Sequence, residues 1–226
     1  MPTVVLLRHG RTTANTAGIL AGQLPGVPLD ERGRAQADDI GRRLARVPFS
    51  AVIASPLERT KATARAVIKQ SKRPVGLSTD RAFIECDYGT WSGKKLSALA
   101  GKPLWSVVQQ HPSAAEFPGG ESMRGMQARA VEGIRAWNEA VGERGVYLVV
   151  SHGDLIKAII ADALGMHFDH FQRIAIDPGS ISVINYTALR PFVVKVNDTG
   201  EDVSYLTPAK RRRSSDAAVG GGAGRG

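Results

Sequence analysis

Three short apolar runs in this chain each pass directly into a cluster of polar chemistry. Thr3–Leu7 leads into Arg8-His9-Gly10, Ser50–Ala54 into Ser55-Pro56-Leu57-Glu58-Arg59, and Val146–Val150 into Ser151-His152-Gly153-Asp154. Runs this short and this apolar read as strands buried on both faces, which a parallel sheet covered by helices provides. Helical periodicity separates them. It is clearest over Asp30–Val47, where Ile40, Leu44 and Val47 share a face and Asp30 is placed to cap the N-terminus. Leu57–Gln70, Met123–Val141 and Leu155–Leu164 also read as helices, and Ser180–Tyr186 with Phe192–Val196 as late strands, a hairpin or a sheet edge. The pattern predicts an α/β fold, a three-layer sandwich with a mostly parallel central sheet flanked by helices. Segment 88–121, with its Gly, Pro and short apolar pieces, is expected as an insertion over one end of the sheet.

The 226 residues suffice for a well-buried core, and no stretch approaches the roughly 20 apolar residues that span a bilayer. One Cys can form neither an internal disulfide nor a thiolate metal site. Met1-Pro2-Thr3 has no basic segment before Val4–Leu7, so no signal peptide is expected and a soluble cytoplasmic protein is the default. The formal net charge of +9 invites a nucleic-acid reading, but its distribution argues otherwise. Lys210, Arg211, Arg212, Arg213 and Arg225 fall in a Gly- and Ser-rich tail with only Asp216 opposing them. Residues 1–207 are therefore expected as one domain and 208–226 as a disordered basic tail. No aromatic residue interleaves the basic cluster, so nucleic acid is disfavoured as the main partner.

Ligands of such sheets sit at the carboxyl ends of the strands. Two histidines and two arginines are delivered to one edge by three segments. Arg8 and Arg59 are forked donors that match phosphate oxygens. Gly10 and Gly153, each following a histidine, permit a close turn around an oxyanion, and a helix starting near Gly153 would aim its N–H groups there. A neutral imidazole can attack phosphorus, and a departing alkoxide needs a proton, for which Glu85 in Phe83-Ile84-Glu85-Cys86-Asp87 is the best-placed acid.

Five motifs in order, Leu7-Arg8-His9-Gly10-Arg11-Thr12 with Asn15, Ser55-Pro56-Leu57-Glu58-Arg59-Thr60, Glu85 with Gly89 and Trp91, Pro118-Gly119-Gly120-Glu121-Ser122, and Ser151-His152-Gly153, resemble the histidine phosphatase superfamily, the phosphoglycerate-mutase-like group. The resemblance spans nearly all of 3–187. It implies a phosphoglycerate-mutase-like sandwich in which His9 becomes a phosphohistidine, Arg8, Arg59 and His152 hold the transferring phosphoryl group, and Glu85 serves as acid and then base. Asn15, Gly22 and Gln23 match positions near the phosphate and the substrate entrance, with Gly153 beside His152. No metal or cofactor is implied, and the partner is a small phosphorylated metabolite. Small homo-oligomers are common in such folds, and nothing here fixes a number. Mutases of the group carry a longer insertion with an adjacent Arg-Arg pair, absent from 88–121, so phosphomonoester hydrolysis is favoured over a cofactor-dependent phosphoglycerate mutase or a non-catalytic phosphate-binding module.

Other residues have plainer readings. Asp87 is the fallback acid if its segment is extended, and Cys86 reads as a small buried side chain. His167 and His170, three apart, read as part of a loop after a helix rather than a metal site. Arg11 stands where the group commonly has Glu. Turned inward it would favour a substrate with a second anionic group; turned outward it would be solvated. Lys94, Lys95 and Arg124 are further candidates for leaving-group contacts.

Overall fold

The computed structural model describes residues 1–200, so the domain boundary at 207 and the basic tail lie outside the described residues. Six strands, β1 (Thr3–Arg8), β2 (Ala51–Ala54), β3 (Leu77–Thr79), β4 (Val146–Ser151), β5 (Ile181–Tyr186) and β6 (Pro191–Asp198), form one sheet in the order β3-β2-β4-β1-β5-β6. The β3-β2-β4-β1 pairings are parallel, while β5 and β6 add antiparallel at the far side. The helices are α1 (Thr13–Thr16), α2 (Glu31–Leu44), α3 (Glu58–Gln70), α4 (Leu96–Leu99), α5 (Pro103–Gln110), α6 (Met123–Val141) and α7 (Gly153–Ala163).

The continuous apolar strands divide their side chains between two cores. Val4, Leu6, Tyr147 and Val149 face one core with α6 and α7. Val5, Leu7, Leu148 and Val150 face the other, with α2 and α3. A strand buried on both faces has no polar alternation to show, which is why these runs look uniform in sequence. The three-layer expectation is met. The 88–121 segment does more than lie over one end, because Trp91, Leu99, Val108 and Phe117 are buried in the α6/α7 core.

Helix ends follow local chemistry. Asp30 caps α2, its side chain accepting the Gly33 N–H at 2.7 Å, and the helix stops at Leu44 rather than running to Val47. Ser122 caps α6 in the same way, and Gly142, at φ +73°, ends it after Val141. α7 starts two residues before the predicted Leu155, with His152 as its N-cap residue. β3 is absent from the sequence reading: it has three residues, two of them exposed, and offers no apolar run to detect.

The loop after β1 lies hard against the first turn of α2. A Cβ on Gly10 would stand 2.3 Å from the Gly33 carbonyl oxygen, and one on Gly33 1.9 Å from that of Arg11. Gly10 is thus required first by backbone packing against α2, a reason the sequence reading did not contain. Replacing Gly33 with Ala should cost about 1–3 kcal/mol by forcing these backbones apart. Gly76→Ala, where an added Cβ meets nothing within 4 Å, should stay within about 0.5 kcal/mol. Urea denaturation of the two variants checks this.

Candidate active site

The β1–β4 register sets Arg8 opposite Ser151, so His9 and His152 leave neighbouring strands at the same level. The His9 N–H then donates to the Ser151 carbonyl at 3.0 Å, and the Ser55 N–H to that of Val150 at 3.0 Å, extending the sheet pattern into the site. The two imidazoles meet edge to face with centroids 5.2 Å apart. Arg59 enters from the first turn of α3, just after its Leu57 cap. Arg8, His9, Arg59, Glu85 and His152 are all at most 4% exposed.

Hydrogen bonds assign the ring protons. His9 Nδ1 lies 2.8 Å from the Gly10 carbonyl oxygen, which can only accept, so the proton resides on Nδ1. Nε2 keeps its lone pair and accepts from Arg59 Nε at 3.3 Å. Burial, then Arg59 and Arg8, hold the His9 pKa well below its ordinary 6.5. Arg59 also donates from Nη2 to the Gly22 carbonyl at 2.7 Å and to His152 Nδ1 at 3.3 Å. His152 is therefore protonated on Nε2 and donates to Ser55 Oγ at 2.8 Å, its charged form likewise suppressed by burial and by Arg59. Arg8 donates to the Ile176 carbonyl at 2.7 Å.

Glu85 closes the cleft opposite. Its Oε1 accepts the Cys86 N–H at 3.0 Å and its Oε2 lies 3.8 Å from His152 Nδ1. Burial first, then the negative charge of Asp154, raise its pKa to about 7 against the opposing pull of Arg59. Its segment is strapped in place: Gln23 Nε2 and Arg129 Nη2 donate to the Glu85 carbonyl at 2.8 and 3.2 Å, and Arg129 also pairs with Glu121 at 2.6 Å. Asp87 does not reach the cleft wall; its carboxylate accepts the Gly89 N–H at 2.9 Å and serves the turn. Cys86 is buried, its thiol pKa pushed well up by burial.

A cleft open at its mouth is lined by His9, Arg59, Glu85, Tyr88 and Leu96 together with Thr12, Asn15 and loop 18–22. Of the residues expected near substrate, Asn15 and Gly22 reach the wall. Gln23 acts behind it through Glu85, and Gly153 is the buried first residue of α7. Arg11 lies outside the wall, tied to Asp30 at 2.7 Å. Lys94 and Lys95 are exposed and outside it, and Arg124 lines a separate surface depression near His167. His167 and His170 are exposed, flanking and within a 3-10 turn over Phe168–Arg173 rather than a plain loop.

A buried polar layer beneath the cleft went unassigned in the sequence reading. The Tyr88 hydroxyl donates to Asp154 Oδ2 at 2.8 Å, and Lys157 Nζ lies 3.7 Å from Asp154 Oδ1 and donates to Gln172 at 2.9 Å. The available signal was a pair of opposite charges three apart within the apolar first two turns of helix Gly153–Ala163.

The raised Glu85 pKa has a sign that can be tested by stability alone. The folded state binds the Glu85 proton more tightly than the unfolded chain, so this stabilisation is complete below the ordinary 4.5 and is lost as pH rises through about 7. Wild type should therefore lose stability relative to Glu85→Gln as pH rises from 4.5 to about 7. Paired denaturation curves across that window measure it.

Residues 4–199 match the family model of the histidine phosphatase superfamily (branch 1). The chain is 31% identical over 207 residues to phosphoserine phosphatase 1 of Hydrogenobacter thermophilus, spanning 88% of this chain and 93% of that one. It is 32% identical over 179 residues to 2,3-bisphosphoglycerate-dependent phosphoglycerate mutase 2 of Gloeobacter violaceus, spanning 76% and 78%. The solved structure of YhfR from Bacillus stearothermophilus superposes with a TM-score of 0.81 at 25% identity, over 88% of this chain and 98% of that one. Strand order, the facing histidines and the family model agree: the chain belongs to branch 1 of the histidine phosphatase superfamily and is a histidine-type phosphatase.

Proposed function

We propose that the chain hydrolyses phosphomonoesters of small metabolites through a phosphohistidine on His9. The observation that carries this reading is the His9 ring itself, with its proton tied to the Gly10 carbonyl and its Nε2 lone pair turned toward the Arg59 guanidinium. A phosphoryl group drawn to Arg59 and Arg8 meets that lone pair, and the two guanidiniums offset the charge of the attacked dianion. In the first step the Nε2–P bond forms as the P–O bond to the leaving group breaks, and the proton of neutral Glu85 passes to the departing oxygen. In the second, water loses a proton to the Glu85 carboxylate, its oxygen bonds to phosphorus, and the Nε2–P bond breaks. Phosphate leaves and both residues return to their starting states.

His152, neutral, with its Nε2 proton on Ser55 and its Nδ1 lone pair toward Arg59, is suited to aim that guanidinium at a phosphoryl oxygen without adding charge. Asn15, Gly22 and Gly153 act on this reading in shaping the wall and the helix start beside the phosphate, and Gln23 in holding the acid segment. Phosphoserine phosphatase 1 supports hydrolysis, and the mutase relative supports the second reading, return of the phosphoryl group to a phosphoglycerate. Absence of an adjacent arginine pair from 88–121 favours hydrolysis.

Release of inorganic phosphate from a phosphomonoester panel tests the choice; isomerisation of phosphoglycerate without phosphate release would overturn it. His9→Ala should lower kcat by at least about 10³-fold and abolish the phosphohistidine seen by mass spectrometry under neutral conditions. Glu85→Gln should cost about 10²–10⁴-fold on alkyl phosphates and less on phenols, which leave without a proton. Because the acid form of Glu85 is lost near pH 7, kcat for alkyl phosphates should fall above that pH in wild type. That limb should vanish in the Gln variant.

A further inference from the structure

We propose that the Pro-Gly-Gly-Glu-Ser motif at 118–122 and Arg129 form a brace that aims the Glu85 carboxyl at the leaving group, with Arg129 as its positioning residue. This rests on the phosphomonoesterase reading and deepens it to a residue outside the cleft wall. The acid segment needs a brace because it lies between two 3-10 turns, Arg81–Phe83 and Gly89–Trp91, and belongs to no strand or helix. The carboxyl is also tied to its own backbone, since Oε1 accepts the N–H of the next residue, Cys86, at 3.0 Å. A displacement of that backbone therefore carries the proton donor with it.

Arg129 supplies what the ladder of a strand would have supplied. Its Nε and Nη2 donate to the two carboxylate oxygens of Glu121 at 3.0 and 2.6 Å, the fork-to-fork pairing that fixes a guanidinium in its plane. Nη1 and Nη2 then donate to the carbonyls of Ala82 and Glu85 at 2.9 and 3.2 Å, so one side chain grips the segment at two points. Glu121 grips a third. Its Oε1 accepts the Asp87 N–H and its own N–H donates to the Asp87 carbonyl, both at 2.9 Å. Gly120 lets the two ribbons touch, because a Cβ there would stand 2.2 Å from the Asp87 carbonyl oxygen. Ser122 completes the motif by capping α6, the helix that carries Arg129. A lysine at 129 keeps the charge but has no fork, so it cannot hold Glu121 and both carbonyls in one plane.

The test compares benzyl phosphate, an alkyl ester whose alcohol needs a proton to depart, with 4-nitrophenyl phosphate, whose phenolate leaves without one. The readout is the ratio of the two kcat/KM values. That ratio reports only the steps through departure of the alcohol, and it does not depend on how much of a preparation is folded. Arg129→Lys should lower the benzyl to 4-nitrophenyl ratio at least about tenfold, because a small misplacement of the donor is costly. Glu121→Gln, which removes the partner's charge, should act in the same direction and stands in if the lysine variant fails to fold. In a Glu85→Gln background, Arg129→Lys should leave the ratio within about twofold, since a residue that acts through Glu85 has nothing further to lose there. A ratio that Arg129→Lys leaves unchanged, or that falls further with it in the Glu85→Gln background, overturns the brace and leaves the reading of Glu85 as acid intact. A ratio that Glu85→Gln does not lower, or no hydrolysis of either ester by wild type, overturns both.

Discussion

Parallel pairing of β1 with β4 governs everything at the site. With Arg8 opposite Ser151, both strands end at one level and their next residues, His9 and His152, stand ring to ring. A slip of one residue would turn Arg8 and each buried apolar side chain of β1 to the opposite face. The register is therefore held by two cores at once, Val4 and Leu6 in one and Val5 and Leu7 in the other. Catalytic geometry is in this sense a by-product of packing: the same alternation that fills both layers aligns the strand ends. The Gly10–Gly33 approach then joins the loop after His9 to α2, and Thr63 of α3 accepts the Gly10 N–H at 3.1 Å.

Electrostatics in the cleft follow from bringing unlike groups together out of water. Burial lowers the proton affinity of both histidines, and the adjacent arginines lower it further. The same burial raises that of Glu85, with Asp154 adding to it. Two neutral rings and a neutral carboxylic acid can then sit close to two guanidiniums without a cluster of like charges. The layer of Tyr88, Asp154, Lys157 and Gln172 beneath supplies the compensating charge and hydrogen bonds. Burial depresses the Lys157 and Arg8 pKa values too, opposed by Asp154 and by Glu85.

Much of this was legible in the chain because the site is delivered by strand ends, and strands buried on both faces announce themselves as apolar runs. The three runs led to Arg8, His9, Arg59 and His152 directly, and periodicity bounded α6 correctly from Met123 to Val141, where Ser122 caps it and Gly142 ends it. Illegible features share one physical origin: they depend on contacts between distant segments. Tyr88 and Asp154 meet across 66 residues and His152 and Ser55 across 97, and neither pairing leaves a local pattern. Whether Glu85 or Asp87 faces the cleft turned on a tight turn, in which Gly89 takes the Asp87 carboxylate. The direction of Arg11 depended on Asp30, nineteen residues on. β3 fell below detection because half-exposed edges three residues long carry no periodicity.

The single thiol of the chain sits one residue from Glu85, fully buried and held protonated by its surroundings. A thiol in that condition reacts with an alkylating reagent only when its segment opens, since the thiolate is the reactive form and both water and reagent are excluded. The chain thus contains an intrinsic chemical clock for excursions of the Glu85 segment. Modification rates at Cys86 would time those openings in the unmodified sequence, with no introduced label, and a ligand that tightens the cleft would slow the clock.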